Sequence, residues 1–348
     1  MNQFKEFEGL GISGLANLGN TCFINTTLQC LSHCYELNKF LKSGNYKQKL
    51  NKKAESLILL EWDKLRDMLW SENCIVSPGG FISSVQKVAK IKDKDIFTGF
   101  AQNDSSEFLG FIIDCFHTAI QREVNMSITG TAESDTDKLA EKCYEMMKNM
   151  YKKEYSEFLS MFYGIQVSKI VNESDEYMNA IPEPFLMLDL ALPEKSQKNN
   201  SACTLLDCFH NYTLVEILDG DNKLYNEKTK EKYVAKKQVL FWSLPDLLII
   251  TLKRFGNSTN KFKCLVDFPL ENLNLSEYVE GYNSKSFVYD LYGICNHSGG
   301  TEGGHYTAFV KNANDNWYLF NDTSVSRVSK DNIKTKNAYC FFYRKIIL

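Results

Sequence analysis

The chain has 348 residues and a formal net charge of −3. That length allows a large core in one multi-lobed domain or two, and the charge gives no bulk electrostatic case for nucleic acid. No apolar run approaches membrane-spanning length, and Met1 to Glu8 is charged, without the apolar core of a signal peptide. The eleven cysteines are odd in number, scattered and mostly inside apolar runs, a usage that fits reduced thiols in the cytoplasm or nucleus better than a disulfide framework.

In chain order, the first distinctive segment is Gly14-Leu15-Ala16-Asn17-Leu18-Gly19-Asn20-Thr21-Cys22-Phe23, where a polar, glycine-containing turn gives way to a helical pattern. Phe23, Ile24, Thr27, Leu28 and Leu31 recur at helical spacing, and Asn20 and Thr21 stand where cap residues belong. A thiol at a helix N-terminus feels the positive end of the backbone dipole, which favours its thiolate and makes Cys22 a candidate nucleophile. On local context alone, a small buried cysteine remains the other reading. Residues 21–120 read as helical, with amphipathic segments at Ala54 to Trp70, Pro78 to Ala89 and Ser105 to Arg122. The mildly basic run Lys47 to Lys53 reads as a solvated helix end. Thr129 to Asp137 reads as a loop, and Leu139 to Phe162 as a further helix.

From Tyr163 the β signature takes over, at Tyr163 to Val171, Tyr177 to Leu192, Tyr212 to Val215, Tyr233 to Trp242 and Asp246 to Phe255, with a polar linker at Pro193 to Ala202. Near the C-terminus, Asn296-His297-Ser298-Gly299-Gly300-Thr301-Glu302-Gly303-Gly304 leads into alternating runs at His305 to Lys311, Asn316 to Asn321 and Ala338 to Ile346. The turn formers Asn312-Ala313-Asn314-Asp315 separate the first two runs. Folding this hairpin about Ala313 brings His305 opposite Asn321, the base and orienter of a Cys-His-Asn arrangement. A helical half followed by a strand-rich half is α+β, and it sets the nucleophile helix and the base-bearing strands on opposite walls of a cleft.

Together these motifs resemble the ubiquitin-specific proteases, the papain-like class of deubiquitinating enzymes. Gly14 to Leu31 is similar to that family's cysteine box, and Ala101 to Leu109 to its glutamine-aspartate box. Glu183 to Leu186 and Leu247 to Phe255 match two of its strand signatures, and Gly303 to Tyr306 with Trp317 to Asp322 match its histidine box. The resemblance implies a single catalytic domain over 1–348: a helical thumb at about 1–162, mostly β fingers at 163–245 with the linker at 193–202, and a palm at 246–348. It implies Cys22 as nucleophile, His305 as acid–base, Asn321 as its orienter and Asn17 as oxyanion donor, with Asp322 as a backup or a support near the oxyanion. Asp104 would meet the basic tail of ubiquitin, with Gln102, His297, Gly303, Gly304 and Tyr306 also on substrate. From the residues alone, Asn17 reads as a turn former and Asp104 or Ser105 as a helix cap. Trp317 and the methionines Met146, Met147 and Met150 read as packing.

The expected partners are ubiquitin and ubiquitinated proteins, bound by a monomer with no cofactor, no nucleic acid and no membrane. Two alternatives stand beside an active deubiquitinase: a protease for another ubiquitin-like modifier, and an inactive ubiquitin-binding module. The presence of Cys22, His305, Asn321 and Asn17 argues against the inactive module. The chain departs from its relatives in one respect. Many carry two Cys-x-x-Cys zinc pairs at the fingertip. This chain has Val171 to Glu176 and Tyr225 to Thr229 at those places, and Cys203 and Cys208 are five apart without a second pair. The expectation is a fingertip without zinc, held by strand pairing alone.

Overall fold

The computed structural model describes residues 4–172, 177–226, 229–256, 261–300 and 303–346. It is α+β, with helices gathered in the N-terminal half and two main sheets after them. Helix α1 (Cys22–Ser32) is buried along its whole length, including the polar Asn25, Thr26 and Gln29. It is therefore a core element whose polar groups need internal partners: the Asn25 and Gln29 amide N–H groups find them, while Asn25 Oδ1 and Gln29 Oε1 have none. Helices α2 (Tyr35–Lys42), α3 (Glu55–Ser71), α4 (Gly79–Ile91) and α5 (Ser105–Ile120) surround it. Leu28, Leu31, Ile58, Trp62, Phe108 and Phe116 form one continuous core with residues of the adjoining sheet.

The expected helix over Leu139 to Phe162 is two helices, α6 (Asp135–Glu154) and α7 (Glu157–Phe162). Between them Tyr155 and Ser156 are extended. Tyr155 exchanges two backbone hydrogen bonds with Arg122, and Ser156 caps α7 by accepting from the Phe158 N–H. Helix α6 also begins inside the stretch expected to be loop. Ser134 and Asp137 form a reciprocal capping box there, a local signal stronger than the polar composition around it.

The strand-rich half splits into two main sheets. In the first, the order is Tyr177–Phe185, Gly164–Asn172, Ala235–Ser243 and Glu216–Leu218, all antiparallel neighbours. The strand expected over Tyr177 to Leu192 breaks at Leu186. Its second part, Met187–Ala191, crosses to the larger sheet and pairs in parallel with Leu247–Lys253. The linker contains a short helix α8 (Glu194–Asn199). The strand expected at Tyr212 to Val215 is instead the end of helix α9 (Leu205–Tyr212) and the turn after it. A Thr204–Asp207 capping box starts α9, which explains the helix among strand-like residues. The fingertip positions Glu173 to Glu176 and Glu227 to Lys228 lie outside the described residues. Among the described residues no group of three or more His, Cys, Asp or Glu side chains is arranged to hold a metal.

The larger sheet runs Ser324–Val328, Trp317–Asn321, Gly304–Lys311, Val288–Gly299, Ala338–Lys345, Leu247–Lys253 and Met187–Ala191, with Leu273–Asn274 added on Val288–Gly299. One face packs on α1. The other covers a second core that includes Phe209, Phe241, Trp317, Phe341 and Tyr343. Met146 and Met147 pack on a third, smaller core around Trp242.

Beyond the strand Leu247–Lys253, Arg254 is fully buried. Its Nε donates to the Ala338 carbonyl at 2.8 Å, and its Nη1 to those of Phe262 and Cys264 at 3.0 Å each. A guanidinium in the core is costly where its donors go unmet; here three bonds to carbonyls offset that cost, while Nη2 has no partner. Arg254→Leu is expected to destabilise the protein by about 3 kcal/mol or more, because those acceptors stay buried. An unchanged midpoint in urea unfolding would contradict this account.

Candidate active site

The turn before α1 is held by side chains. Asn17 Oδ1 accepts from the Gly19 N–H at 3.0 Å and from the Thr21 N–H and hydroxyl at 3.2 Å. Gly19 and Asn20 both have positive φ, at 105° and 53°, as glycine and asparagine tolerate. Thr21 is the N-cap residue, but its hydroxyl accepts from the Leu18 N–H at 2.9 Å instead of capping the helix. The first N–H groups of α1 are thus left without a side-chain cap beside Cys22.

The Cys22 thiol is buried. Burial pushes it above its ordinary value, the N–H of Tyr306 pulls it down, the Asp322 charge raises it again, and the N–H groups of Phe23 and Cys22 oppose weakly. The net shift is upward. The helix terminus acts in the expected direction, but desolvation of the thiolate outweighs it.

His305 lies near the start of the strand Gly304–Lys311. One of its ring nitrogens, Nε2, meets Asn321 Oδ1 at 2.7 Å. The hairpin register differs from the expected fold about Ala313. Ala308 stands opposite Phe320 and Lys311 opposite Trp317, so the centre of the hairpin is Asn314. Asn321 therefore reaches His305 diagonally across the pair, within the reach of these two side chains. An Nε2–H donated to Asn321 leaves Nδ1 as the basic nitrogen.

Asp322 follows with φ of 49°, and its carboxylate turns back toward the helical half. Oδ2 accepts from Asn17 Nδ2 at 3.0 Å and Oδ1 from Asn25 Nδ2 at 2.7 Å, while its carbonyl accepts from the Leu15 N–H at 2.9 Å. One N–H of the Asn17 amide is so committed, leaving the other for an oxyanion.

Asp104 is the N-cap of α5, accepting from the N–H groups of Ser106 and Glu107 and from the Ser106 hydroxyl. Its second oxygen accepts from the Tyr339 hydroxyl at 2.5 Å. It lines a cleft of about 1040 Å³ between the halves, together with Phe97, Phe111, Phe255 and Tyr339. Gln102 Oε1 accepts from the Gly304 N–H at 3.0 Å, so the glutamine-aspartate segment touches the start of the His305 strand directly.

His297 lies near the end of the strand Val288–Gly299 and is 4% exposed. Its Nδ1 and carbonyl both accept from Lys261 Nζ. Burial, then the Lys261 charge, lowers the ring to about 4, and burial with Arg254 and Lys263 nearby lowers Lys261 to about 8. The His297 ring lies tilted against that of Tyr306, at 4.6 Å between centroids. Tyr306 reaches Cys22 only through its backbone; its side chain is buried against His297 and Tyr339. A Cβ on Gly304 would sit 2.2 Å from His297 Nε2 and 2.5 Å from the Ser298 carbonyl, whereas one on Gly303 meets nothing nearer than Gln102 at 3.7 Å.

The structure thus joins Cys22, Asn17, His305, Asn321, Asp322 and Tyr306 at the junction of α1 and the larger sheet, and Gln102, Asp104, His297, Gly303 and Gly304 beside it. Three participants escaped the sequence reading: Asn25, Tyr339 and Lys261. Asn25 carried a signal, being a polar residue three positions after Cys22 in a helix of apolar pattern. Tyr339 meets the α5 cap Asp104 and Lys261 meets His297, each far away in the chain, and neither carried a signal.

A thiol on a buried helix, an imidazole on a facing strand and an amide orienting that imidazole define the site class of papain-like thiol hydrolases. Comparison with known proteins narrows this. The family model described as ubiquitin carboxyl-terminal hydrolase matches residues 13–343, and the chain belongs to that family. It is 34% identical over 341 residues to bovine and to human ubiquitin carboxyl-terminal hydrolase 2, covering 96% of this chain but only 55% of each relative's length. Human ubiquitin carboxyl-terminal hydrolase 21 is 30% identical over 357 residues, at 97% of this chain and 62% of that protein. The fold matches Ubp8 in the SAGA Ubp8/Sgf11/Sus1/Sgf73 DUB module bound to ubiquitin aldehyde. There the TM-score is 0.74 at 24% identity, over 98% of this chain and 71% of that one.

Two outcomes follow from this geometry. Gly304→Ala is expected to cost about 1–3 kcal/mol of stability and Gly303→Ala less than about 0.5 kcal/mol; equal shifts in thermal midpoint would refute the packing argument. Alkylation of Cys22 in the free protein by iodoacetamide should climb about tenfold per pH unit through neutrality, since the thiol rests protonated. A rate flat over that range would mean a preformed thiolate.

Proposed function

We propose that the protein is a thiol-dependent deubiquitinating enzyme that hydrolyses the bond after the C-terminal glycine of ubiquitin. The observation that carries this reading is the 2.7 Å contact between His305 and Asn321, on a hairpin that also presents the Tyr306 N–H to Cys22. In this mechanism Nδ1 of His305 takes the Cys22 proton as sulfur attacks the glycine carbonyl. The ring then protonates the leaving amine, giving an acyl-enzyme that water hydrolyses. Asn321 fixes the ring, and being neutral it lends no full charge to the imidazolium. The remaining N–H of Asn17 stabilises the oxyanion, an effect worth roughly 3–4 kcal/mol in other hydrolases. Asp322 acts by holding that amide in place.

Substrate enters along the cleft lined by Asp104. The Tyr339 hydroxyl and the helix cap orient the Asp104 carboxylate toward arginines of the ubiquitin tail, and Gly303 and Gly304 pass the tail's two glycines. The enzyme acts as a monomer in the cytoplasm or nucleus.

The decisive test is a ubiquitin probe with a thiol-reactive C-terminus, together with a ubiquitin–fluorophore substrate. Cys22 should be labelled, and Cys22→Ala should bind ubiquitin but release no fluorophore. His305→Ala should lose turnover as fully as Cys22→Ala, and Asn321→Ala less. Labelling only by probes of another modifier would replace ubiquitin as substrate; no labelling by any would overturn the hydrolase reading.

Asp104→Ala should raise KM strongly with a smaller change in kcat, as loss of an interfacial charge pair costs about 2–5 kcal/mol. An unchanged KM at low salt would confine Asp104 to its capping role.

A further inference from the structure

Away from the cleft, three thiols share one end of helix α9. Cys203 precedes the N-cap Thr204, and Cys208 lies on the first turn. These are the two positions whose side chains ordinarily meet as a hydrophobic staple. Here both are cysteines, and the Thr204–Asp207 capping box fixes the backbone between them. The thiols of Cys208 and Cys264 and the Ser196 hydroxyl are the side chains that bear on the Cys203 thiol. Its backbone N–H donates to the Leu265 carbonyl at 3.1 Å, and Cys203 pairs in parallel with Val266. Cys264 is engaged by Arg254, whose guanidinium approaches its thiol as well as its carbonyl. Arg254 Nη2 is buried without a hydrogen-bond partner on this side. Cys208 and Cys264 are fully buried, whereas Cys203 is half-buried and open to solvent.

Two other arrangements of thiols in the chain isolate what this one has. Cys30 and Cys295 bring their sulfurs to 3.8 Å, with Cys340 across the strand from Cys295, but all three are buried in the core. Cys74 is exposed, and among the described residues it makes no contact with another thiol. Oxidation to a disulfide needs both access for the oxidant and a second thiol in reach, and its rate follows the thiolate fraction. Of these groups, only that at α9 has both.

We infer that Cys203 is a peroxide-sensitive thiol that closes to a disulfide with Cys208. The Cys203 sulfur attacks one oxygen of hydrogen peroxide and the O–O bond breaks. This leaves a sulfenic acid on Cys203, and the departing hydroxide takes up the thiol proton as water. The Cys208 sulfur then attacks the Cys203 sulfur, the S–O bond breaks, and the hydroxide leaves as water with the Cys208 proton. Two thiols lose two electrons to one peroxide, giving one disulfide and two waters. Cys208 resolves the sulfenic acid because the capping box holds it against Cys203, while Cys264 stays engaged with Arg254. Contact with Cys208 holds the Cys203 thiol above its ordinary value, and burial adds to this against the pull of Cys264. The thiolate is therefore scarce at neutral pH, and closure accelerates as pH rises.

The test uses the full chain carrying Cys22→Ser, so that the reactive-site thiol is absent, treated with hydrogen peroxide and mapped by peptide mass spectrometry under non-reducing conditions. The expected result is a loss of about 2 Da with Cys203 joined to Cys208, faster at higher pH, while Cys30 and Cys295 stay reduced and Cys74 is modified singly. Cys203→Ser should abolish the cross-link. Cys208→Ser should stop the reaction at Cys203, where dimedone traps the sulfenic acid, so that either variant suffices if the other does not fold. A Cys203–Cys264 link, a Cys30–Cys295 link, or Cys203 remaining reduced while Cys74 oxidises would overturn the proposal.

Discussion

The carboxylate of Asp322 is the joint on which the site depends. It follows the strand that carries Asn321, with backbone in the left-handed region, and both of its oxygens are engaged by the helical half through Asn17 and Asn25. Its carbonyl takes the Leu15 N–H, and Leu15 belongs to a two-residue strand paired with Ile75–Val76. Gly14 allows that approach, since a Cβ there would lie 2.4 Å from the Thr323 carbonyl. The wall bearing the thiol and the wall bearing the imidazole are therefore tied at this residue through both its side chain and its backbone. Charge-assisted bonds to amides in a partly dry junction are short and directional, which suits a joint that must fix positions.

The same carboxylate has an electrostatic cost for the thiol. Together with burial it disfavours the Cys22 thiolate, against the N–H groups that favour it. In the proposed mechanism, holding the Asn17 amide in place and ionising the Cys22 thiol are thus opposed demands on one site. Burial and the Asp322 charge favour the protonated thiol, and on that proposal the imidazole that Asn321 orients takes its proton.

Much of this was legible in the sequence where the signal was local. The turn before Cys22, the cap at Asp104 and the two turn-separated strands after Gly304 all declare themselves over a few residues. The helix break at Tyr155 did not, because it answers to backbone pairing with Arg122, more than thirty residues earlier. The crossing of the chain at Leu186 from one sheet to the other was hidden for a similar reason: both strands read as one apolar run, and only the choice of partner separates them. At the hairpin, composition located the turn, but its centre was off by one residue and the cross-strand pairing therefore by two, because a symmetric fold about Ala313 ignores how Asn312 and Asp315 shape the loop. At the helix terminus, the dipole was legible and the desolvation was not, since burial of Cys22 is a property of the assembled core.

The place of the strand Ala338–Lys345 has a consequence for how the molecule comes into being. It lies inside the larger sheet, between Val288–Gly299 and Leu247–Lys253. Those two strands cannot join until it has been synthesised. Asn17 likewise waits for Asp322, 305 positions later in the chain. At about 5–20 residues per second, that is an interval of roughly 15–60 s in which the helical half has left the ribosome without the wall that completes its cleft. Parallel and long-range pairings form slowly for the same topological reason. A nascent chain therefore holds its thiol long before it holds a site, and competence arrives in one late step when the central strand is inserted.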